Sequence, residues 1–473
     1  MRALKRLIRQ EYGGALLMDP RTGKTKTAID WFCILFLKGK IDRGLIICPN
    51  HVIDVWEQQL KEHCPYEYDV IMWDRWARKK QALPEPRKNC LLFVLVNYEA
   101  FSTPGSRLPS GRRSRKNGRI RVRDDIRRWA NRGKAVAALD ESHHIQRVSG
   151  HAARTIVTLH RDFPHRLLMT GTPITKANKA HGIWMQWKFL CPWQLEEWED
   201  YTDFKEYFGR WIEIPDVPVK VWKRPRHMKE FQELLSRDSF SVARDECFDL
   251  PPSDVQRVPV GLMQSARVYD DMAEHMVAEI ASQTAEASYP IVKILRLCQI
   301  TGGFVTSDEG KIIRVGSEKL LTLDPILDNC MDNQEKVIIV ARFKPELDAL
   351  YKLAKSHRVP VYQIRGGIPR QQVGEEMRKS RRYKGPLIYV VQPHSAAHGI
   401  DLSFSARMIW YSLTPNFVHY SQTCDRIALS RESTTFTYLL AQDTVDEVLY
   451  DVLQTDGRIV RAVKRAPERL LRV

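Results

Sequence analysis

Ten short runs of apolar residues punctuate the chain, and the stretches between them carry apolar residues at helical spacing. In the first half the runs fall at 15–18, 44–49, 91–98, 135–141 and 166–172, and in the second half at 336–343, 359–364, 385–392, 406–413 and 435–442. Continuous apolar runs of this length, alternating with helices, are what strands buried on both faces of a parallel sheet require. The pattern predicts an α/β chain with two lobes of similar make, residues 1–180 and 317–473. Residues 181–316 differ: they are rich in Trp, Glu, Lys and Met, with helical spacing as in YDDMAEHMVAEIASQ. They predict a helical insertion and a connector between the lobes.

Charge changes this picture. The 473 residues carry a formal net charge of +17, an excess that points toward a polyanion, most often nucleic acid, with simple solubility as the plainer reading. Much of it gathers at 105–134, an Arg-rich, Gly/Ser-punctuated stretch that interrupts the first lobe and predicts a long basic loop ending in a short helix. Arg112, Arg113, Arg115, Lys116, Arg119, Arg121 and Arg123 are its candidates for neutralising DNA phosphates, against the alternative of a solvated arm. Trp184, Trp187, Trp193 and Trp198, near helical spacing, read as core of the insertion rather than a base-stacking platform. The longest apolar runs, such as LLFVLV, are far too short for a membrane span, and the opening MRALKRLIRQ has no apolar segment of a secretory signal. Nine cysteines, with no C-x-x-C pair and no His at zinc spacing, read as ordinary buried thiols of a reducing compartment, without metal or disulfide roles.

Two motifs bring chemistry. ALLMDPRTGKTKTA ends as a phosphate-binding loop does, although the first glycine of G-x-x-x-x-G-K-[ST] is replaced by Met18. The loop follows a predicted strand and precedes an apolar helix, the context the motif needs. Thr22, Gly23, Lys24, Thr25 and Lys26 are the phosphate-binding candidates, with Lys24 on the outer phosphates and the Thr25 hydroxyl on magnesium. Taken alone, a chance Gly-Lys-Thr in a basic chain explains the segment as well. The second motif, AVAALDESHH, decides it: Asp140 and Glu141 cap a buried strand, where one carboxylate can hold magnesium and the next can activate water. His143 and His144 read equally as ordinary surface or interface histidines.

With these residues in view the chain resembles the superfamily-two helicases. DESHH is similar to their second motif, LLMTGTPI to the third and LIICPNHVIDVWEQQL to motif Ia. The finer resemblance is to the Swi/Snf-type DNA translocases, through VLVNYEAF, the Leu-Pro-Pro connector in DLPPSDVQRVPVGLMQSARVYDDM, SEKLLTLDPIL, KVIIVARF and the closing TTFTYLLAQDTVDEVLYDVLQ. The resemblance covers nearly the whole chain. It implies two RecA-like parallel-sheet lobes with ATP and magnesium bound between them, and hydrolysis that ratchets the lobes along DNA, duplex or branched. It implies that Asp140 completes the metal shell, that Glu141 orients the attacking water, and that Thr170, Gly171, Thr172, Gly399 and Asp401 couple the sites. Gln422 and Arg426 match the sixth motif. The expected setting is a compact bacterial or phage enzyme in the cytoplasm. Rival readings are a strand-separating or branch-migrating helicase and a non-hydrolysing nucleic-acid-binding scaffold.

The chain also departs from that pattern. The Gly-Gly pair of the fifth motif is Ala396-Ala397, with Gly399 retained. The second arginine of the sixth motif is Leu429, and the nearest other guanidinium is Arg431. The glutamine motif that such proteins place ahead of the phosphate loop has no clear counterpart, which leaves adenine selection unassigned.

Overall fold

Every one of the ten apolar runs forms a strand in the computed structural model. It describes residues 1–10, 12–73, 82–101, 118–174, 180–212, 221–248, 253–281, 289–307, 310–396, 400–427 and 433–455. The chain divides into two compact units, Met1–Phe248 and Asp249–Gly457.

In the first unit, β1 (Gly13–Met18), β2 (Arg43–Cys48), β3 (Tyr68–Met72), β4 (Leu91–Asn97), β5 (Ala135–Asp140) and β6 (His165–Met169) lie in one sheet. The hairpin β7 (Gly209–Ile212) and β8 (Val221–Pro225) stands apart, and β9 (Ser239–Val242) completes the sheet in the order β3-β4-β2-β5-β6-β1-β9, all parallel. β1, β2, β4, β5 and β6 are buried along their whole length, which is why they read as unbroken apolar runs. The sheet's two faces feed two cores. Trp31, Phe32 and Phe93 anchor one, and Trp129, Trp187 and Phe189 the other. Gly13 is fixed by crowding: its φ is +115°, and a Cβ there would lie 1.8 Å from the Arg166 carbonyl oxygen.

The second unit holds a six-stranded parallel sheet of β10 (Ser253–Val260), β13 (Lys336–Val340), β14 (Val361–Ile364), β15 (Leu387–Val391), β16 (Arg407–Trp410) and β17 (Thr434–Ala441), in the order β10-β17-β16-β13-β15-β14. A small antiparallel pair, β11 (Phe304–Thr306) and β12 (Ile312–Arg314), precedes it. Two RecA-like parallel-sheet lobes are therefore the fold. Residues 181–316 hold helices, among them Trp184–Leu190, Met228–Asp238 and Ala266–Ala281, but they also supply an edge strand to each sheet, β9 and β10. Neither edge has an apolar run to announce it: β9 is the four residues SFSV, and β10 is exposed over most of its length.

The basic stretch continues into a helix, Gly118–Ala130, that buries Val122, Ile126, Trp129 and Ala130 at helical spacing. Trp184 and Trp187 are buried, whereas Trp193 is 42% exposed, with its ring against Tyr12 and the Arg166 guanidinium. Among the described residues no helix is long and apolar enough to cross a membrane.

Candidate active site

β1 delivers the chain to the phosphate loop at the C-terminal edge of the first sheet. Met18 is its last residue, buried and without positive φ, so the position needs no glycine. The left-handed residues of the loop are Arg21 (φ +67°) and Gly23 (φ +91°). Asp19 ties the loop to the neighbouring strand: its amide donates to the Val242 carbonyl (3.2 Å), and its carboxylate accepts from the Arg244 amide (3.0 Å). The Thr22 hydroxyl donates to the Asp19 carbonyl at 2.7 Å.

The helix Lys24–Leu37 then starts from Gly23 with no side-chain cap, leaving its first amides directed at the loop. The Lys24 ammonium folds back onto the carbonyls of Met18 (2.9 Å) and Asp19 (3.1 Å), across the same loop. Thr25 is the second residue of this helix and half-buried. Lys26 turns away, in an exposed i,i+4 ion pair with Asp30 (2.7 Å).

Asp140 and Glu141 stand at the end of β5, two strands from β1. Asp140 is held on both oxygens: Oδ2 accepts from the Trp56 indole at 2.8 Å, and Oδ1 from the Glu141 amide at 3.0 Å. The Tyr98 hydroxyl donates to the Asp140 carbonyl at 2.8 Å. Glu141 leaves the strand in the left-handed region, φ +52°, which swings its side chain toward the end of β6. There Glu141 Oε2 accepts from the Thr170 hydroxyl at 3.3 Å and lies 3.3 Å from His143 Nδ1. His143 Nδ1 also lies 3.1 Å from the Thr170 hydroxyl, which accepts from the Thr172 amide at 3.0 Å. Gly171 packs on the phosphate loop, since a Cβ there would stand 3.2 Å from Pro20 and 3.4 Å from the Met18 carbonyl oxygen. Thr170, Gly171 and Thr172 thus touch both the acid pair and the loop.

Burial, then the neighbouring charge of Glu141, pushes the Asp140 carboxyl up to about 6, against the Trp56 hydrogen bond and the Lys24 charge. For Glu141 burial acts the same way, but the His143 contact and Lys24 outweigh it and hold the carboxyl below its usual range. The candidate donors, the Thr25 hydroxyl after the phosphate loop and the two carboxylates at the end of β5, are hard oxygens. Among the described residues no three His, Cys, Asp or Glu side chains form a metal cage. Hard oxygens such as these are donors that magnesium takes, one or two at a time, together with waters and substrate phosphates.

Several participants escaped the sequence reading. Trp56 and Tyr98 brace Asp140, and His143 is part of the Glu141 cluster rather than a surface residue. His144 stacks between His143 and Tyr98, with ring centroids 4.9 Å apart on each side. Behind them the Ser142 hydroxyl donates to Gln186 Oε1 (2.6 Å), and the Gln186 and Gln146 amides both donate to the Pro173 carbonyl (2.8 and 2.7 Å). Trp56 and Tyr98 lie inside the motif stretches, so their sequence signal existed. Gln186 had none.

In the second unit Gln422 lies on the helix Phe417–Cys424, capped by the Asn416 side chain. Arg426 follows that helix, half-buried, with its carbonyl accepting from the Leu402 amide at 3.2 Å. Asp401 pairs with Arg381 at 2.7 Å and accepts from the Ser403 amide at 3.1 Å. Both border a cavity of about 560 Å³ that Arg365, Gly367, Arg378 and His394 also line. Deeper in this unit the Lys319 ammonium donates to Asp446 (2.5 Å) and to the Tyr411 carbonyl (2.9 Å), while Asp446 also accepts from the Thr301 hydroxyl (3.0 Å). Beside it Glu346 accepts from the Arg342 and Phe343 amides and the Ser412 hydroxyl.

Gly399 and Arg431 lie outside the described residues, as do Arg112, Arg113, Arg115 and Lys116. Arg119 and Arg121 fall on the helix Gly118–Ala130, with side chains outside the description, and Arg123 pairs with its neighbour Asp124 at 3.0 Å.

The SNF2-related domain matches residues 2–300, and the helicase conserved C-terminal domain matches residues 318–429. Among curated proteins, Protein CHROMATIN REMODELING 19 of Arabidopsis thaliana is 25% identical over 198 residues, 39% of this chain and 23% of that protein. The protein p41 of Acyrthosiphon pisum secondary endosymbiont phage 1 is 22% identical over 307 residues, 62% of each. The chain thus spans less than two thirds of the length of either relative. Among solved structures, the Sulfolobus solfataricus SWI2/SNF2 ATPase core in complex with dsDNA is 18% identical over 99% of this chain and 93% of that one, with a TM-score of 0.41.

Proposed function

Because the chain belongs to the SNF2-related family of helicase-type ATPases, carrying its helicase C-terminal domain as well, we propose that it is a DNA-stimulated ATPase that translocates on duplex DNA. The observation that carries this reading is the acid pair at the end of β5, tied by Glu141 to Thr170 and His143, beside a phosphate loop with Lys24. Such a constellation suits phosphoryl transfer, where catalysis is almost entirely positioning and charge stabilisation.

In this reading the uncapped amides of Lys24–Leu37 and the Lys24 ammonium receive the ATP phosphates, with Lys24 exchanging main-chain carbonyls for phosphate oxygens. Magnesium, held by Thr25 and Asp140, supplies charge neutralisation on the phosphates. Trp56 and Tyr98 keep Asp140 in place for it. Glu141 orients the attacking water; its bond to Thr170 links the site to the end of β6, and the adjacent Ser142 links it to Gln186. Arg426 brings a guanidinium from the second unit to the charge that develops on the transferring group, with Arg431 as the auxiliary cation. Closure of the lobes on ATP and their reopening move the protein along the DNA backbone. The net charge of +17 and the basic stretch at 105–134 support a phosphate-rich track.

The test is steady-state ATP hydrolysis with no nucleic acid, single-stranded DNA, duplex DNA, a branched junction and RNA. Stimulation by duplex DNA beyond the other arms is expected. Preference for the junction would favour branch migration, and absence of turnover in every arm would leave a binding scaffold.

A further inference from the structure

The nine cysteines read as ordinary buried thiols, yet Cys247 is exposed and two others meet. Cys33 Sγ lies 3.8 Å from Cys64 Sγ, sulfur against sulfur. Cys33 is on the helix Lys24–Leu37 that begins at the phosphate loop, and its side chain is buried. Cys64 caps the C-terminus of the helix Ile53–His63, which also carries Trp56, and it is half-buried with a path to solvent. We propose that Cys33 and Cys64 are a modification site, a dithiol that hydrogen peroxide converts to a disulfide bridging the phosphate-loop helix to the Trp56 helix.

The roles follow from access and chemistry. The hydrogen bond from Cys33 lowers the Cys64 thiol to about 7 against the effect of burial, while that bond and burial push Cys33 up. Cys64 is therefore the attacking thiolate and Cys33 the resolving thiol. The Cys64 thiolate displaces hydroxide from peroxide and becomes a sulfenic acid. The Cys33 sulfur then attacks the Cys64 sulfur, the S–O bond breaks, and the hydroxyl leaves as water with the Cys33 proton. Two thiols and one peroxide give one disulfide and two waters. Cys64 sits at a helix end, where the backbone can yield the short approach the bond requires.

The bridge stands apart from the ATPase reading; only its effect on turnover rests on it. The reduced full-length chain is treated with hydrogen peroxide, its free thiols are counted by alkylation, and peptides are mapped without reductant. The expected result is loss of two of nine thiols, one linked pair of peptides carrying Cys33 and Cys64, and recovery with dithiothreitol. Cys64→Ser should form no bridge, and Cys33→Ser should hold a Cys64 sulfenic acid that dimedone traps. Oxidation confined to the exposed Cys247, or the same two-thiol loss in Cys64→Ser, overturns the site. Turnover with duplex DNA, read in parallel, should fall severalfold on oxidation and return on reduction, and Cys64→Ser should hold its rate. A bridge that forms while turnover stays constant removes the control of hydrolysis and leaves the site standing.

Discussion

Each unit buries charge at one end of its parallel sheet, and the two burials are built on opposite plans. In the second unit Lys319 meets Asp446; Lys319 also donates to the Tyr411 carbonyl, and Asp446 accepts from the Thr301 hydroxyl and the Ala441 amide. Cation and anion meet in a direct ion pair, and the Glu346 carboxyl beside them is pushed up by burial. In the first unit two adjacent carboxylates, Asp140 and Glu141, stand beside a single lysine whose ammonium already holds two main-chain carbonyls. Two like charges are concentrated there, with Lys24 as the neighbouring cation. A direct buried ion pair is a structural arrangement, whereas two adjacent carboxylates with shifted pKa values beside a lysine are the kind of arrangement found at functional sites.

The largest effect is expected at Arg426, the guanidinium that the proposed function assigns to the transferring group. Arg426→Ala is expected to cost DNA-stimulated turnover roughly 10³-fold or more while ATP affinity holds, because a guanidinium on transition-state charge appears in rate rather than in binding. Turnover at saturating duplex DNA and nucleotide titration read the two separately. Lys319→Ala tests the closed network: it strands Asp446 uncompensated in the core, and should cost about 3–5 kcal/mol in denaturant unfolding. Its ATP affinity should match the wild type, and a loss there would break the contrast between the networks. Glu141→Gln is the mirror experiment, with turnover down about 100-fold or more. Its unfolding midpoint should be unchanged or lower, because the folded state favours the carboxylate through His143 and Lys24 and that charge is lost.

Trp56→Phe sharpens the first network from its edge. It removes one hydrogen bond to a buried carboxylate, worth about 1.5–3 kcal/mol, and thermal unfolding should show the loss. The last effect is a slope. Burial pushes the Glu346 carboxyl up to about 7 from 4.5, against the Ser412 and Phe343 hydrogen bonds. A carboxyl raised in the folded state binds its proton more tightly there than in the unfolded chain. Its stabilising effect is complete below about pH 4.5 and is lost as pH rises through about 7. Stability measured across that window should decline from this group, and Glu346→Gln should flatten the decline.

What the sequence made legible follows from the same physics. Strands buried on both faces, such as β2 or β15, have to be continuous apolar runs, so LIIC and LIYVV announce them. β10 escapes because most of its residues face outward, and β9 because four residues with two serines carry no pattern. Lys24, Asp140 and Glu141 were legible because phosphate loops and acid-capped strands put chemistry at fixed offsets from an element. The partners that hold them were not. Trp56 reaches Asp140 across 84 residues, Ser142 reaches Gln186 across 44, and Lys319 reaches Asp446 across 127. Such pairings are decided by which strands lie side by side, and no local pattern encodes that.

The edge pairing of the second sheet bears on how the protein is made. β10 is the first strand of its unit to be synthesised, and its partner β17 is the last: Ser253 lies opposite Thr434, 181 residues later. A growing chain therefore carries β10 unpaired through the synthesis of everything between, with both edges open to other strands. Pairings this distant in sequence form slowly and leave aggregation-prone edges in the interval. The outward-facing, polar character of β10, with Asp254, Gln256, Arg257 and Pro259 among its eight residues, is what lets an orphan strand wait in water for the last strand to arrive.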